Sequence, residues 1–286
     1  MSEDSKREFD EDKSIDESKN ESGSNSSNSR NVWRIIRIAL IIILIGVIGY
    51  ESIGLYNDNK EYKEAENEYE EIEDSYVVFN TAKEEEQSLE YPDLQINHSS
   101  LKLINDAYIG WLYFPALDIS YPVVKEEKVN QFLRVTFDGV PNTAGSIFMD
   151  VMSDENFRGM SDFVFGHNMR NGSMFGKLKK LYQSDEDLLK DNKYVYVYTE
   201  EFIFKYEIFA YYKTRVGSDS YALVTSEDEY DEFLDYIDAV NVYKESNDID
   251  FSTYPSLLTL STCAGQSGSG NRFVVHTAKV AAWKIG

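Results

Sequence analysis

One apolar run divides this chain and limits what each side of it can become. Between Trp33 and Leu55 the residues are almost continuously aliphatic, with Ile35–Tyr50 at the centre. A bilayer core needs about 20 such residues in a helix, so the run is long enough to cross one. Arg30, Arg34 and Arg37 lie at its N-terminal end. The positive-inside tendency then puts the N-terminus in the cytoplasm and residues 57–286 outside, on a single-pass cell-membrane protein. A cleaved signal peptide is the competing reading. It is disfavoured because the apolar run ends without a small-x-small site and follows a long polar segment.

The partition that results has four parts. Residues 1–31 are Ser-, Asn-, Asp-, Glu- and Lys-rich and are expected to be a disordered cytoplasmic tail. Residues 32–56 are the expected transmembrane anchor. In residues 57–90, Tyr62, Ala65, Tyr69, Ile72, Tyr76 and Phe79 recur at three- and four-residue spacing, which predicts an amphipathic juxtamembrane helix. That stripe would serve a coiled-coil dimer or pack on the chain's own domain. Residues 91–286 form the expected globular domain. The formal net charge of −23 excludes a phosphate-binding stripe, so no nucleic-acid partner is expected.

Strand-like runs fall at 109–114, 119–124, 145–149, 162–165, 194–198, 202–213, 257–261 and 272–282. Helical patterns fall at 174–182, around 185–190, and at 227–240, where Tyr230, Phe233, Leu234, Ile237 and Val240 make a stripe. The fold class is therefore mainly β with helical insertions, in a closed or nearly closed barrel.

Cys263 is the chain's one cysteine, so it has no disulfide partner within the chain. A free thiol is either a buried small hydrophobe or a reactive group. Cys263 ends the apolar run 257–262 and opens the Gly/Ser-rich segment 264–271. His167 follows the strand-like Phe163-Val164-Phe165 and a glycine. Arg272 opens the last strand. If these three strand ends share a rim, they supply a nucleophile, an acid/base and a permanent cation. An imidazolium beside a thiol lowers its pKa and can protonate a leaving amine. A guanidinium stays charged and donates hydrogen bonds to an oxyanion. The other two histidines are read differently. His98 lies in a polar stretch and reads as solvated, and His276 lies within the last strand and reads as structural. No cluster with metal-ligand spacing stands out, and neither a metal nor a cofactor is expected.

Thr259-Leu260-Ser261-Thr262-Cys263 followed by Arg272-Phe273-Val274-Val275 resembles the signature of sortases, the cysteine transpeptidases of Gram-positive cell surfaces. The segment Phe165 to Phe175 is similar to the histidine segment of class B sortases. So are Asn130-Gln131-Phe132-Leu133-Arg134, Phe137-Asp138-Gly139 and Gly145–Asp150, and a helix at 227–240 suits that class. The resemblance spans about residues 90–284. It implies an eight-stranded sortase barrel preceded by N-terminal helices. It also implies Cys263 as nucleophile, His167 as general acid/base and Arg272 as the oxyanion or substrate clamp, with Ser261 and Thr262 lining a groove. The implied partners are the sorting-signal peptide of secreted surface proteins and an amine of peptidoglycan or its lipid-linked precursor. The loop after Cys263, all small or polar up to Arg272, departs from that class. A membrane-anchored cysteine peptidase that only hydrolyses is the alternative enzyme. A surface-anchored binding domain with an incidental thiol is the non-enzymatic one.

Overall fold

The computed structural model describes residues 25–80, 90–184, 186–243, 245, 247–263 and 269–285. It divides into two compact units, Met1–Asn57 and Asp58–Gly286. In the first, helix α1 (Asn25–Tyr76) exposes its aliphatic side chains, among them Ile41, Ile43 and Ile45 at 55%, 62% and 62%. It is the one helix among the described residues long and apolar enough to cross a membrane, with mean hydropathy 2.4 over an 18-residue window. The expected tail lies outside the described residues over 1–24.

The second unit takes in the last turns of α1. Ala65, Tyr69 and Ile72 bury there, with Tyr62 and Tyr76 packed beside them, as a helical stripe should. The helix ends at Tyr76, short of the extent expected from the spacing. Phe79 instead belongs to strand β1 (Val77–Phe79), which pairs antiparallel with β2 (Leu94–Ile96). Helix α2 (His98–Ile104) follows, capped by the Asn97 side chain on the Ser100 amide. His98 is not simply solvated. It is half-buried, with Nδ1 2.8 Å from the Tyr108 hydroxyl, and burial draws its pKa down to about 4.

Eight strands close a barrel: β3 (Tyr108–Phe114), β4 (Ile119–Lys125), β5 (Ile147–Met149), β6 (Ser161–Phe165), β7 (Tyr194–Tyr198), β8 (Phe202–Arg215), β9 (Leu257–Cys263) and β10 (Asn271–Lys284). Their order around the barrel is β10-β8-β7-β3-β4-β5-β6-β9. Two pairings are parallel, β4 with β5 and β6 with β9, and the others are antiparallel. Full closure leaves no edge strand to aggregate.

Several strands are apolar on both faces because both are covered. Leu112, Leu258, Leu260 and Phe273 belong to the main core cluster. Outside, helix α3 (Glu227–Val240) lays Tyr230, Phe233 and Ile237 over Phe163, Phe209, Leu257 and Val274. The α3 N-terminus is set by Ser226, whose side chain accepts from the Glu229 amide. The Glu229 carboxylate returns to the Thr225 amide at 2.7 Å, a capping box shifted by one residue. His276 sits under this helix, fully buried. Its Nδ1 is 2.8 Å from Thr259 Oγ1 and its Nε2 is 3.0 Å from the Tyr212 hydroxyl, so its role in the barrel wall is structural.

The stretch expected to be helical around 185–190 is a turn over its described residues. The Asp187 carboxylate accepts the Leu189 amide at 3.1 Å, a local bond that competes with a helix. The pattern at 174–182 resolves into a 3-10 turn, Phe175–Lys179, and a short helix, Lys180–Gln183.

Candidate active site

The parallel pairing of β6 with β9 brings together residues far apart in sequence. Phe165 is the Cα partner of Ser261, and the Gly166 amide donates to the Ser261 carbonyl at 3.1 Å. Cys263 ends β9 two residues beyond Ser261, and His167 lies in the loop two residues past the end of β6. On the other side of β9, Arg272 is the antiparallel partner of Cys263. Neighbouring strands lie about 4.8 Å apart, so the backbone at Cys263 runs beside that of Arg272, while on the other side of β9 the paired part of β6 ends at Phe165. The register thus brings the end of β6, the end of β9 and the start of β10 to one end of the barrel. The segment 264–268, which the sequence marks as unusual, lies outside the described residues.

Gly166 lets the chain turn here. A Cβ at this position would lie 2.5 Å from Ile147 Cδ1 and 2.7 Å from Phe175 Cγ, so no larger residue fits without movement. Beyond it the 167–175 loop doubles back. The Phe175 amide donates to the His167 carbonyl at 3.0 Å, and Asn168 bridges Met174. The backbone of His167 is thus held on both sides.

Its ring is held as well. Nε2 lies 2.7 Å from the Leu133 carbonyl. A carbonyl only accepts, so Nε2 carries the proton and Nδ1 is the nitrogen left to exchange one. Burial holds the imidazole below its ordinary value of 6.5. The Leu133 bond opposes that shift, and the Arg134 and Arg272 charges reinforce it. His167 therefore rests neutral near pH 7.

A cavity of about 370 Å³ opens over these strand ends. Its lining includes Leu133, His167, Tyr221, Ser261, Thr262 and Arg272. Most of its surface is apolar and aromatic. Phe165 stacks on Phe148 at 5.7 Å and on Tyr221 at 6.0 Å between ring centroids. Ser261 and Thr262 both line the cavity, but differently from one another. The Ser261 hydroxyl is engaged at 2.8 Å by the Tyr221 hydroxyl. Thr262 is 3% exposed, and its Oγ1 has no hydrogen-bond partner among the described residues. An extended peptide would find an apolar floor here, with a cation and an imidazole at one end. Among the described residues no group of His, Cys, Asp and Glu could hold a metal ion.

Three contributors carry no sequence signal of their own. Leu133 acts through its backbone. Tyr221 is one of 21 tyrosines and lies in a 3-10 turn, Asp219–Tyr221. Glu126 is 3% exposed, and its carboxylate accepts the amides of Asn130 and Phe132, each at 3.2 Å.

Comparison with known proteins places this geometry. A sortase-domain family model matches residues 112–280. Sortase B of Listeria monocytogenes serovar 1/2a is 31% identical over 166 residues, covering 57% of this chain and 65% of that protein, just under two thirds of its length. Among solved structures, sortase B from B. anthracis in complex with AAEK2 is 30% identical with a TM-score of 0.57, over 81% of this chain and 98% of that one. Sortase B from Clostridium perfringens is 28% identical with a TM-score of 0.58, over 64% and 99%.

Proposed function

This chain belongs to the sortase family, in its class B, and on that premise we propose that it is a membrane-anchored cysteine transpeptidase. In this reading it cleaves the C-terminal sorting signal of secreted surface proteins and passes the acyl group to an amine of the cell wall. The observation that supports the proposal is the register that pairs Cys263 with Arg272 and lays β9 beside β6, from whose end His167 follows by two residues. The apolar helix within residues 32–56 supplies the anchor, with the N-terminus cytoplasmic and the catalytic domain outside.

The reaction runs in two halves. The Cys263 sulfur attacks the carbonyl carbon of the scissile bond as its proton passes to His167 Nδ1, which the neutral resting imidazole is ready to accept. The tetrahedral oxyanion is held by the Arg272 guanidinium, a donor type whose removal typically costs about 3–4 kcal/mol of barrier. Collapse breaks the C–N bond, the imidazolium gives its proton to the departing amine, and a thioester remains. The acceptor amine then attacks the thioester. Its proton goes to Nδ1, and the leaving thiolate takes that proton back. Ser261 and Thr262 line the groove that receives the peptide. Tyr221, aligned by its bond to Ser261, forms one wall.

The test is a library of sorting-type peptides incubated with the full-length protein, with and without amine acceptors, and read by mass spectrometry. A ligated product that disappears in Cys263→Ala is expected. Cleavage without ligation at any acceptor concentration would make the protein a peptidase. Turnover that survives Cys263→Ala would remove the thiol from the mechanism.

A further inference from the structure

The loop between β4 and β5 delivers the carbonyl that holds His167, and it has little regular structure with which to keep its place. It leaves the barrel at Glu126 and returns at Ile147, with one isolated bridge, Val135 to Pro141, inside it. Its first half is tied by the Glu126 carboxylate to the Asn130 and Phe132 amides. Its second half is tied by a residue from outside the barrel. Tyr69 of α1 is 6% exposed, donates its hydroxyl to the Gly145 carbonyl at 2.7 Å and accepts the Phe137 amide at 3.2 Å.

Ser146 joins the two halves. Its amide donates to the Phe132 carbonyl at 3.0 Å, and its hydroxyl donates to the Val135 carbonyl at 2.8 Å. Gly145 then lies close beside the carbonyl in question. Its φ is +58°, and a Cβ there would lie 2.5 Å from the Leu133 oxygen. The path from the Tyr69 hydroxyl to the His167 ring therefore has few links: Gly145, the Leu133 carbonyl, and the 2.7 Å bond to Nε2.

We propose that Tyr69 is a positioning residue for the active site: by fixing the 132–146 loop, its hydroxyl keeps the Leu133 carbonyl where it holds His167 in the Nε2–H tautomer. Tyr69 touches neither substrate nor reacting atoms. Packing of α1 alone would be served by Ala65 and Ile72, which bury without any polar tie to the loop. A buried hydroxyl that both donates and accepts has a geometric task beyond burial. The consequence for catalysis rests on the reading of His167 as the proton carrier. A ring freed from Leu133 divides between two neutral tautomers, and the one protonated at Nδ1 cannot accept the thiol proton there.

The chain has three histidines, so ring-15N-labelled histidine in the full-length protein, in detergent micelles, gives a readable spectrum. Wild type is expected to show His167 as the Nε2–H form alone above its titration. Tyr69→Phe is expected to show nitrogen shifts averaged between the tautomers. In turnover, kcat should fall roughly three- to tenfold while KM stays within about twofold. Ile72→Ala, which removes packing from the same face, should lower Tm and keep the wild-type tautomer. A folded Tyr69→Phe protein with the wild-type tautomer overturns the proposal. Should Tyr69→Phe fail to fold, Ser146→Ala cuts the same loop at its Val135 bond: mixed tautomers support the proposal and a single tautomer overturns it. The spectrum needs no substrate, so it can fail or succeed independently of the transpeptidation assay.

Discussion

At the scale of single residues, two histidines in opposite settings lie on either side of β9, His167 just past the end of β6 and His276 on β10. His167 faces the cavity and rests neutral because burial and two arginines disfavour its charge. His276 is sealed under α3, and burial lowers its pKa to about 3. The sign for His276 follows from where protons bind. Between pH 6.5 and 3 the unfolded chain protonates this ring and the folded one does not, so its contribution to stability falls as pH falls through that window. From pH 7 to pH 5 the loss is about 2 kcal/mol. In His276→Gln this part of the acid sensitivity should vanish, so chemical denaturation at the two pH values should show a smaller drop than in wild type. An equal drop would mean the ring is not held neutral. Arg272 invites a second substitution. Lys keeps the charge and loses the planar fork, so Arg272→Lys should lower kcat/KM roughly 100-fold, and near-normal turnover would refute the clamp. The residues legible in the sequence were those whose chemistry is in the side chain: a lone thiol, an imidazole after a glycine, a guanidinium opening a strand. Leu133 was not legible, because any residue has a carbonyl. Tyr221 was not legible, because a chain rich in strand tyrosines gives no sign of which one borders a groove. His98 was misread because polar neighbours in sequence say nothing about Tyr108 beneath it.

At the scale of elements, the chain leaves the end of β6 through a tightly packed glycine. Gly166→Ala forces a methyl against Ile147 and Phe175, both buried. The expected cost is about 1–3 kcal/mol of stability, with a loss of turnover larger than the fall in Tm alone explains. Thermal unfolding and kcat measured on the same sample would show it, and an unchanged kcat would free the β6 exit from its assigned constraint. Seven of the eight barrel strands were readable because each is an apolar or aromatic run of five residues or more, and the three-residue β5 was readable from its place in the run 145–149. Their ends moved by one or two residues, as in β8, which continues to Arg215. The β1–β2 pair was not readable, since three residues make no period. The helix expected around 185–190 failed for a local reason, the Asp187 bond to Leu189. Helix α3 was read with its observed limits because its apolar stripe is strongly periodic, and the structure adds the Ser226 cap at its start.

At the scale of the molecule, the second compact unit holds the barrel, the end of α1 and the α3 layer within Asp58–Gly286. Produced without the first unit, residues 58–286 should fold and melt cooperatively, with far-UV and near-UV circular dichroism falling together. A gradual melt, or far-UV signal without near-UV signal, would show that the boundary at Asn57 is misplaced. The β6–β9 pairing carries one more consequence, in time rather than space. The strands that meet there are separated by β7, β8 and α3 in the chain, and a junction of that kind closes late because the loop entropy is lost before contacts compensate it. Until β9 slots beside β6 and β10 covers its other edge, the strand ends that carry the candidate site are not yet side by side. In a newly made chain the candidate site is thus among the last parts to assemble.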